Sequence, residues 1–286
     1  MKNKANAKTT ITRIVPRRTW RDLRLDEVWR YRDLIWIITK RGFQLYYKQT
    51  VLGPLWLVLR QFFTSVVYTV VFGQIAGIQT AGVPGLLFYL ASTGIWGFFS
   101  YCLTSNASVF TANAYLFGKV YFPRLTVPFS QVLSALISFL IQMTIVMSLL
   151  IYYSISGEVH PIFTAWILIP GILLILGIMG MSVGIIISSM TTKYRDLSVF
   201  VGFGVSLWMF VTPVIYPFSL VPAGWIQIAV RINPVTPMIE LFRYALFGVG
   251  DVLPAPCLWS LFFTLIVAFV GLLIFNRVER TFMDTV

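Results

Sequence analysis

With 286 residues, 58% of them hydrophobic and 11% charged, the chain is excluded from the class of ordinary water-soluble domains. Several apolar runs exceed the ~20 residues needed to cross a bilayer, which predicts an all-α polytopic membrane protein. The net charge of +12 is concentrated at one end: thirteen of the 22 Lys and Arg precede Gly53. Beside membrane spans, such a segment faces anionic lipid headgroups rather than nucleic acid.

Residues 1–28 are polar and basic, lack the apolar stretch of a signal peptide, and are expected to be a cytoplasmic tail. From 29 to 52, Leu34, Ile37, Ile38 and Leu45 recur near helical spacing, while Arg30, Asp33, Lys40, Arg41 and Lys48 interrupt the apolar surface. This pattern predicts an amphipathic helix along the membrane interface. Gly53-Pro54 opens a six-span domain covering 53–275, with spans near 55–78, 84–110, 127–153, 162–190, 198–215 and 256–275. Arg60, close to the start of the first span, either reaches the cytoplasmic interface or faces the bundle interior. Residues 276–286 form a second charged tail. Gly180, Gly184 and Ser188 allow close helix packing, as do Gly73 and Gly77.

The charges set the orientation. The N-terminal tail, Lys119 and Arg124, Lys193 and Arg195, and Arg277 and Arg280 all fall on one side of a six-span chain. The other side holds Arg231 and Arg243 with Glu158, His160, Glu240 and Asp251. Both termini are therefore expected in the cytoplasm. The segment 113–128, with Lys119, Tyr121, Phe122 and Arg124 between apolar runs, belongs at the membrane edge, where it forms a connecting loop or a docking surface for something soluble. The segment 216–254, too apolar for a water-filled loop and broken by five prolines, reads as helical pieces that dip into the membrane and return. Glu240 and Arg243, at i and i+3, are placed to pair.

No catalytic constellation is present. There is no nucleophile triad, no metal-ligand cluster and no glycine-rich loop for nucleotide phosphates: Gly118-Lys119-Val120 lacks the upstream glycine and the hydroxyl. Cys102 and Cys257 read as small core residues, and His160 is the only histidine. Ionisable groups are nearly absent from the middle of the spans, which disfavours ion-coupled transport. Aromatics crowd the second span (Trp96, Phe98, Phe99, Tyr101) and the fifth (Trp208, Phe210, then Tyr216). Packing and interface belts account for most such rings, but sugar rings also stack on aromatics. A glycan cannot cross hydrocarbon unaided, because each unpartnered hydroxyl costs roughly 4–8 kcal/mol on a cyclohexane scale.

The ordered series 47–56 (Tyr-Lys-Gln-Thr-Val-Leu-Gly-Pro-Leu-Trp), 68–73, 118–124 (Gly-Lys-Val-Tyr-Phe-Pro-Arg), 194–197 (Tyr-Arg-Asp-Leu), 212–217 (Thr-Pro-Val-Ile-Tyr-Pro) and 233–248 resembles the permease subunit of ABC type-2 polysaccharide exporters. The resemblance covers residues from about 30 to 275. It implies a homodimer paired with two copies of a separate nucleotide-binding ATPase subunit. ATP and magnesium would be bound by that partner, with no cofactor and no metal in this chain. It also implies a bacterial inner-membrane location and a polyprenyl-lipid-linked polysaccharide such as O-antigen as cargo. On this resemblance, Lys119, Tyr121, Phe122, Pro123, Arg124, Tyr194, Arg195 and Asp196 would couple the chain to the ATPase. Trp96, Phe98, Phe99, Tyr101, Trp208 and Phe210 would line the channel, and Thr212, Pro213, Tyr216, Pro217, Glu240 and Arg243 would belong to an outer gate. A membrane-embedded enzyme acting on lipid-linked sugars is the alternative from another class. Teichoic acid, capsule polymer and a small amphipathic compound are alternative cargoes.

Overall fold

The computed structural model describes residues 25–48, 51–119, 122–191, 194 and 196–285. Two short helices, α1 (Leu25–Arg30) and α2 (Arg32–Tyr47), precede α3 (Leu55–Tyr68), which continues as a π-helical turn over Thr69–Ile75. Then come α4 (Gly85–Ala107), the short α5 (Val109–Ala112) and α6 (Ala114–Lys119), and α7 (Thr126–Ile155). A 3₁₀ turn over Phe163–Leu168 leads into α8 (Ile169–Thr191), followed by α9 (Leu197–Val211), α10 (Trp225–Ile232), α11 (Thr236–Phe247) and α12 (Pro254–Thr285). Helix is the one open structure that satisfies every backbone amide and carbonyl in hydrocarbon.

Among the described residues, five helices are long and apolar enough to cross a membrane: Leu55–Ile75, Gly85–Ala107, Thr126–Ile155, Phe163–Thr191 and Pro254–Val278. The expected fifth span of six is shorter than its sequence pattern. Helix α9 stops at Val211 after 15 residues, about 22 Å of rise, against a hydrocarbon core of about 30 Å. Thr212 precedes Pro213 and takes an extended conformation, φ −99° and ψ 140°. Proline forces that exit from the helix by its clash with the preceding residue.

Helix α4 is the centre of the bundle and packs against α3, α7, α8, α9 and α11. Leu87, Leu90, Phe99 and Cys102 on it are fully buried. Its contact with α8 brings backbone to backbone. A Cβ on Gly184 would lie 2.5 Å from the Leu103 carbonyl oxygen, and one on Gly180 would lie 2.8 Å from the Cys102 Cβ. Only glycine fits there, as the small-residue spacing of α8 predicts. The second pair expected to pack closely does not. Gly77 has nothing within 4 Å and a φ of +68°, and Gly73 meets only the edge of Tyr89 at 3.9 Å. Gly77 serves the turn that ends the first span, where a left-handed residue is needed.

One end of the bundle gathers residues that are distant in sequence. Val28, Phe110, Phe117, Phe122, Val127, Ile185 and Phe275 form a single apolar cluster, in which the Phe110 and Phe275 rings stack at 5.1 Å. Leu34, Ile35 and Ile38 of α2 pack onto this cluster, and Thr39 donates from Oγ1 to the Ser130 carbonyl at 3.2 Å. The amphipathic segment expected over 29–52 is thus two helices, interrupted at Tyr31. Ile37, expected on its apolar face, is exposed with Trp29 and Trp36.

Candidate functional site

Three places carry the predicted site residues. The first is the turn between α4 and α7, at the end of the bundle where the cluster around Phe275 sits. Phe122 is buried, 5.9 Å from the Phe117 ring, and that ring also faces the Arg124 guanidinium at 5.6 Å. The Pro123 carbonyl accepts from the Thr126 amide at 2.9 Å and from the Thr126 hydroxyl, which closes the start of α7. Tyr115 on α6 is 74% exposed. Thr191, at the end of α8, donates to the Ala107 carbonyl at 2.8 Å and ties the end of α8 to the end of α4. Tyr194 and Asp196 are exposed beside them. Tyr121 and Arg195 lie outside the described residues, as does the side chain of Lys119.

The second place is a cleft of about 670 Å³ between α3, α4 and α7. Leu57, Arg60, Gln61, Thr64 and Tyr68 stand at i, i+3, i+4, i+7 and i+11 on α3, so they share one face. Opposite them are Trp96, Gly97, Ser100, Tyr101 and Thr104 of α4 and Ser138, Phe139 and Gln142 of α7. The Gln61 side-chain amide donates to the Leu90 carbonyl at 3.3 Å and to the Thr93 hydroxyl, leaving its oxygen to accept. Thr64, Thr104 and Ser138 donate to carbonyls of their own helices, and their lone pairs remain to accept.

The predicted channel aromatics divide between this cleft and the interior. Trp96, Phe98 and Tyr101 reach the cleft. Phe99 is fully buried, and Trp96, Phe99 and Trp208 form a ring triangle with centroids 5.3–6.4 Å apart. Phe98 is nearly buried and packs on Phe139 at 5.7 Å. Phe210 is 52% exposed on the other face of α9. The residues that sequence reasoning passed over are Gln61, Thr64, Ser138 and Gln142. Their trace in the sequence is polar residues three or four apart within otherwise apolar spans.

The third place lies at the other end of α4. Arg243 is 1% exposed, and its guanidinium is fully engaged. Nε donates to Ser92 Oγ at 2.9 Å, and Nη1 donates to Glu240 Oε1 at 2.7 Å and to the Tyr216 carbonyl at 3.5 Å. Nη2 donates to the carbonyls of Pro213 and Val214. The Phe88 ring lies 4.2 Å from the guanidinium carbon. Glu240 in turn accepts from the amides of Phe218 and Asp251, both at 3.3 Å. Burial of these charges is offset because nearly every donor and acceptor has a partner. Tyr216 donates to the Phe210 carbonyl at 3.0 Å. Asn233 adds a second tie: it accepts from Trp208 Nε1 at 3.1 Å and donates to Thr212 Oγ1 at 2.8 Å. Of the predicted gate residues, Thr212, Pro213, Tyr216, Glu240 and Arg243 come together here, and buried Pro217 adjoins the same pair.

The comparisons with known proteins agree with this architecture. Residues 33–247 match the ABC-2 type transporter family. An O-antigen export system permease protein of Klebsiella pneumoniae is 30% identical over 258 residues, covering 88% of this chain and 94% of that protein. One of the same description from Myxococcus xanthus is 27% identical over 197 residues, covering 68% of this chain and 72% of that protein. With several helices long and apolar enough to cross a membrane and a match over most of its length, this multi-pass membrane protein belongs to the ABC-2 type transporter family.

Proposed function

We propose that the chain is the permease subunit of an ATP-driven exporter that moves a polyprenyl-lipid-linked, O-antigen-like polysaccharide out of the cytoplasm across a bacterial inner membrane. The observation that carries this reading is the cleft. In a chain that is 58% hydrophobic, three helices that belong to apolar spans turn hydroxyls, amides and aromatic rings toward one groove. Sugar rings need that combination: aromatic faces for their apolar sides and hydrogen-bonding groups for hydroxyls that hydrocarbon would leave unpartnered. The names of the relatives, O-antigen export permeases, point the same way.

On this reading two copies of the chain associate with two ATPase subunits, which bind ATP and magnesium. The turn carrying Tyr115, Phe122 and Arg124, together with Tyr194 and Asp196, offers the ATPase its contact. Residues 216–254 act as the outer gate, dipping into the membrane and returning. The membrane is crossed six times with α9 as a short fifth crossing, because Val28 and Phe275 share one cluster and an odd number of crossings would separate them. Both termini are then cytoplasmic, as the charge distribution requires.

The test is affinity purification from native membrane combined with complementation. A stoichiometric ATPase that co-purifies, together with restored surface polysaccharide in a strain lacking the chain, is the expected result. A subunit that purifies alone and turns over lipid-linked sugars would replace export with enzymatic activity.

A further inference from the structure

We infer that α12 is a transmission rod: Phe275 takes up displacement of the α5–α6 turn at one end, and Trp259 and Ser260 deliver it to the joint between α10 and α11 at the other. The inference rests on the export reading, in which the ATPase meets that turn and residues 216–254 form the outer gate.

The first contact is a line of rings. Phe122 and Phe117 lie 5.9 Å apart, Phe117 and Phe110 lie 6.1 Å apart, and Phe110 stacks on Phe275 at 5.1 Å with 28° between the planes. Phe110 and Phe275 are fully buried, and a close-packed interior passes a displacement on instead of absorbing it. Phe110 belongs to α5 and Phe117 to α6, which also carries the exposed Tyr115. A load on α6 therefore reaches α12 through two rings.

Hydrogen bonds make the second contact. Ser260 is fully buried, and its Oγ donates to the Pro234 carbonyl at 2.6 Å. Thr264, one turn on, donates to the Ser260 carbonyl of its own helix, the usual resort of a hydroxyl in an apolar span. Ser260 crosses to another segment instead. Trp259 Nε1 donates to the Ile232 carbonyl at 2.8 Å, a group at the end of α10 that has no partner within that helix. Residues 232–234 join α10 to α11, and Asn233 between them also holds Trp208 and Thr212. About 22 Å of unbroken helix separates Ser260 from Phe275. Along that length α12 lies on α8, where a Cβ on Gly271 would come within 3.2 Å of the Ser182 carbonyl oxygen. A rigid helix with packed or bonded contacts at both ends is a physical route for coupling between distant sites.

The experiment compares the wild-type chain with Ser260→Ala, Phe275→Leu, the double variant and Phe269→Ala. Surface polysaccharide is measured in cells, and ATP hydrolysis and melting temperature on the complex purified from native membrane. Phe275→Leu keeps an apolar side chain and Ser260→Ala removes one hydroxyl, so both should assemble with the ATPase and hydrolyse ATP. Export per ATP hydrolysed should fall about fivefold or more in each single variant. The double variant should be no worse than the weaker single, because both positions lie on one route. Phe269→Ala removes an exposed ring from the same helix and should export like the parent. Normal export per ATP in both single variants would overturn the inference; so would an equal loss in Phe269→Ala, or losses that follow melting temperature. A wild-type chain that exports and carries an ATPase while both variants stay coupled removes the rod alone. One that neither exports nor carries an ATPase removes the export reading with it.

Discussion

Glu240 and Arg243 stand one turn apart on α11 with Oε1 and Nη1 separated by 2.7 Å, and neither side chain reaches solvent. The pair joins α11 to α4 through Ser92 and the Phe88 ring, and to the backbone of 213–218 through four further hydrogen bonds to or from the two side chains. Removing one partner strands the other charge. Glu240→Gln or Arg243→Met should each lower the stability of the purified protein by about 3 kcal/mol or more, and the double substitution by less than their sum. Denaturant titration in detergent checks this. Additive losses would mean that the two charges are satisfied independently.

Helix contact at α8 makes a second prediction. Gly180→Ala and Gly184→Ala each place a Cβ inside the contact distance of α4, so each should cost about 1–3 kcal/mol through overpacking. Gly97→Ala, where nothing lies within 4 Å, should stay within about 0.5 kcal/mol of the parent. Thermal melts of the three variants side by side decide the matter, and equal melting temperatures would contradict the close approach.

At the turn between α4 and α7, burial separates two aromatic roles. Phe122→Ala removes a ring packed inside the apolar cluster and should lower stability by about 3 kcal/mol. Tyr115→Ala should leave stability unchanged, because the ring is 74% exposed, while weakening recovery of the ATPase in pull-down. If the two variants behave alike, the exposed face of α6 is not the contact.

In the cleft, the comparison is between rings and polar groups. Phe99→Ala opens a fully buried position and should cost about 3–5 kcal/mol, so any loss of export follows from loss of folded protein. Gln142→Leu faces the cleft and should slow export several-fold while the melting temperature holds. Measuring surface polysaccharide and stability on the same preparations separates these cases. Export unaffected by Gln142→Leu would remove the polar lining from the pathway.

How far the sequence revealed these sites depended on the reach of each interaction. The Glu240–Arg243 pair was legible as an i, i+3 spacing, and the close α8 contact as glycines four apart, because both are properties of one helix. The end of α9 was not: its apolar residues run on to Ile215, where the span was expected to end, and the Thr212-Pro213 step stops the helix at Val211. The acceptors of Arg243 were not, since Ser92 is 151 residues away and Pro213 is 30. The polar cleft escaped for the same reason: Gln61, Ser138 and Tyr101 become neighbours only when three helices pack. Phe99 and Trp208 look alike in sequence to rings that line a path, but here they fill the space between α4 and α9.

The contact without side chains between α4 and α8 has one more consequence. With Gly180 and Gly184 against the α4 backbone and Thr191 bonded to Ala107, the two helices cannot slide past one another and behave as a single beam. The described residues that follow the two helices at that end, 108–119 after α4 and Tyr194 and Asp196 after α8, hang from the same beam. A partner that touches α6 and Tyr194 or Asp196 grips one rigid body at two points. It can therefore impose a tilt as well as a push, so the angle of the helices, and not only their depth, is under its control.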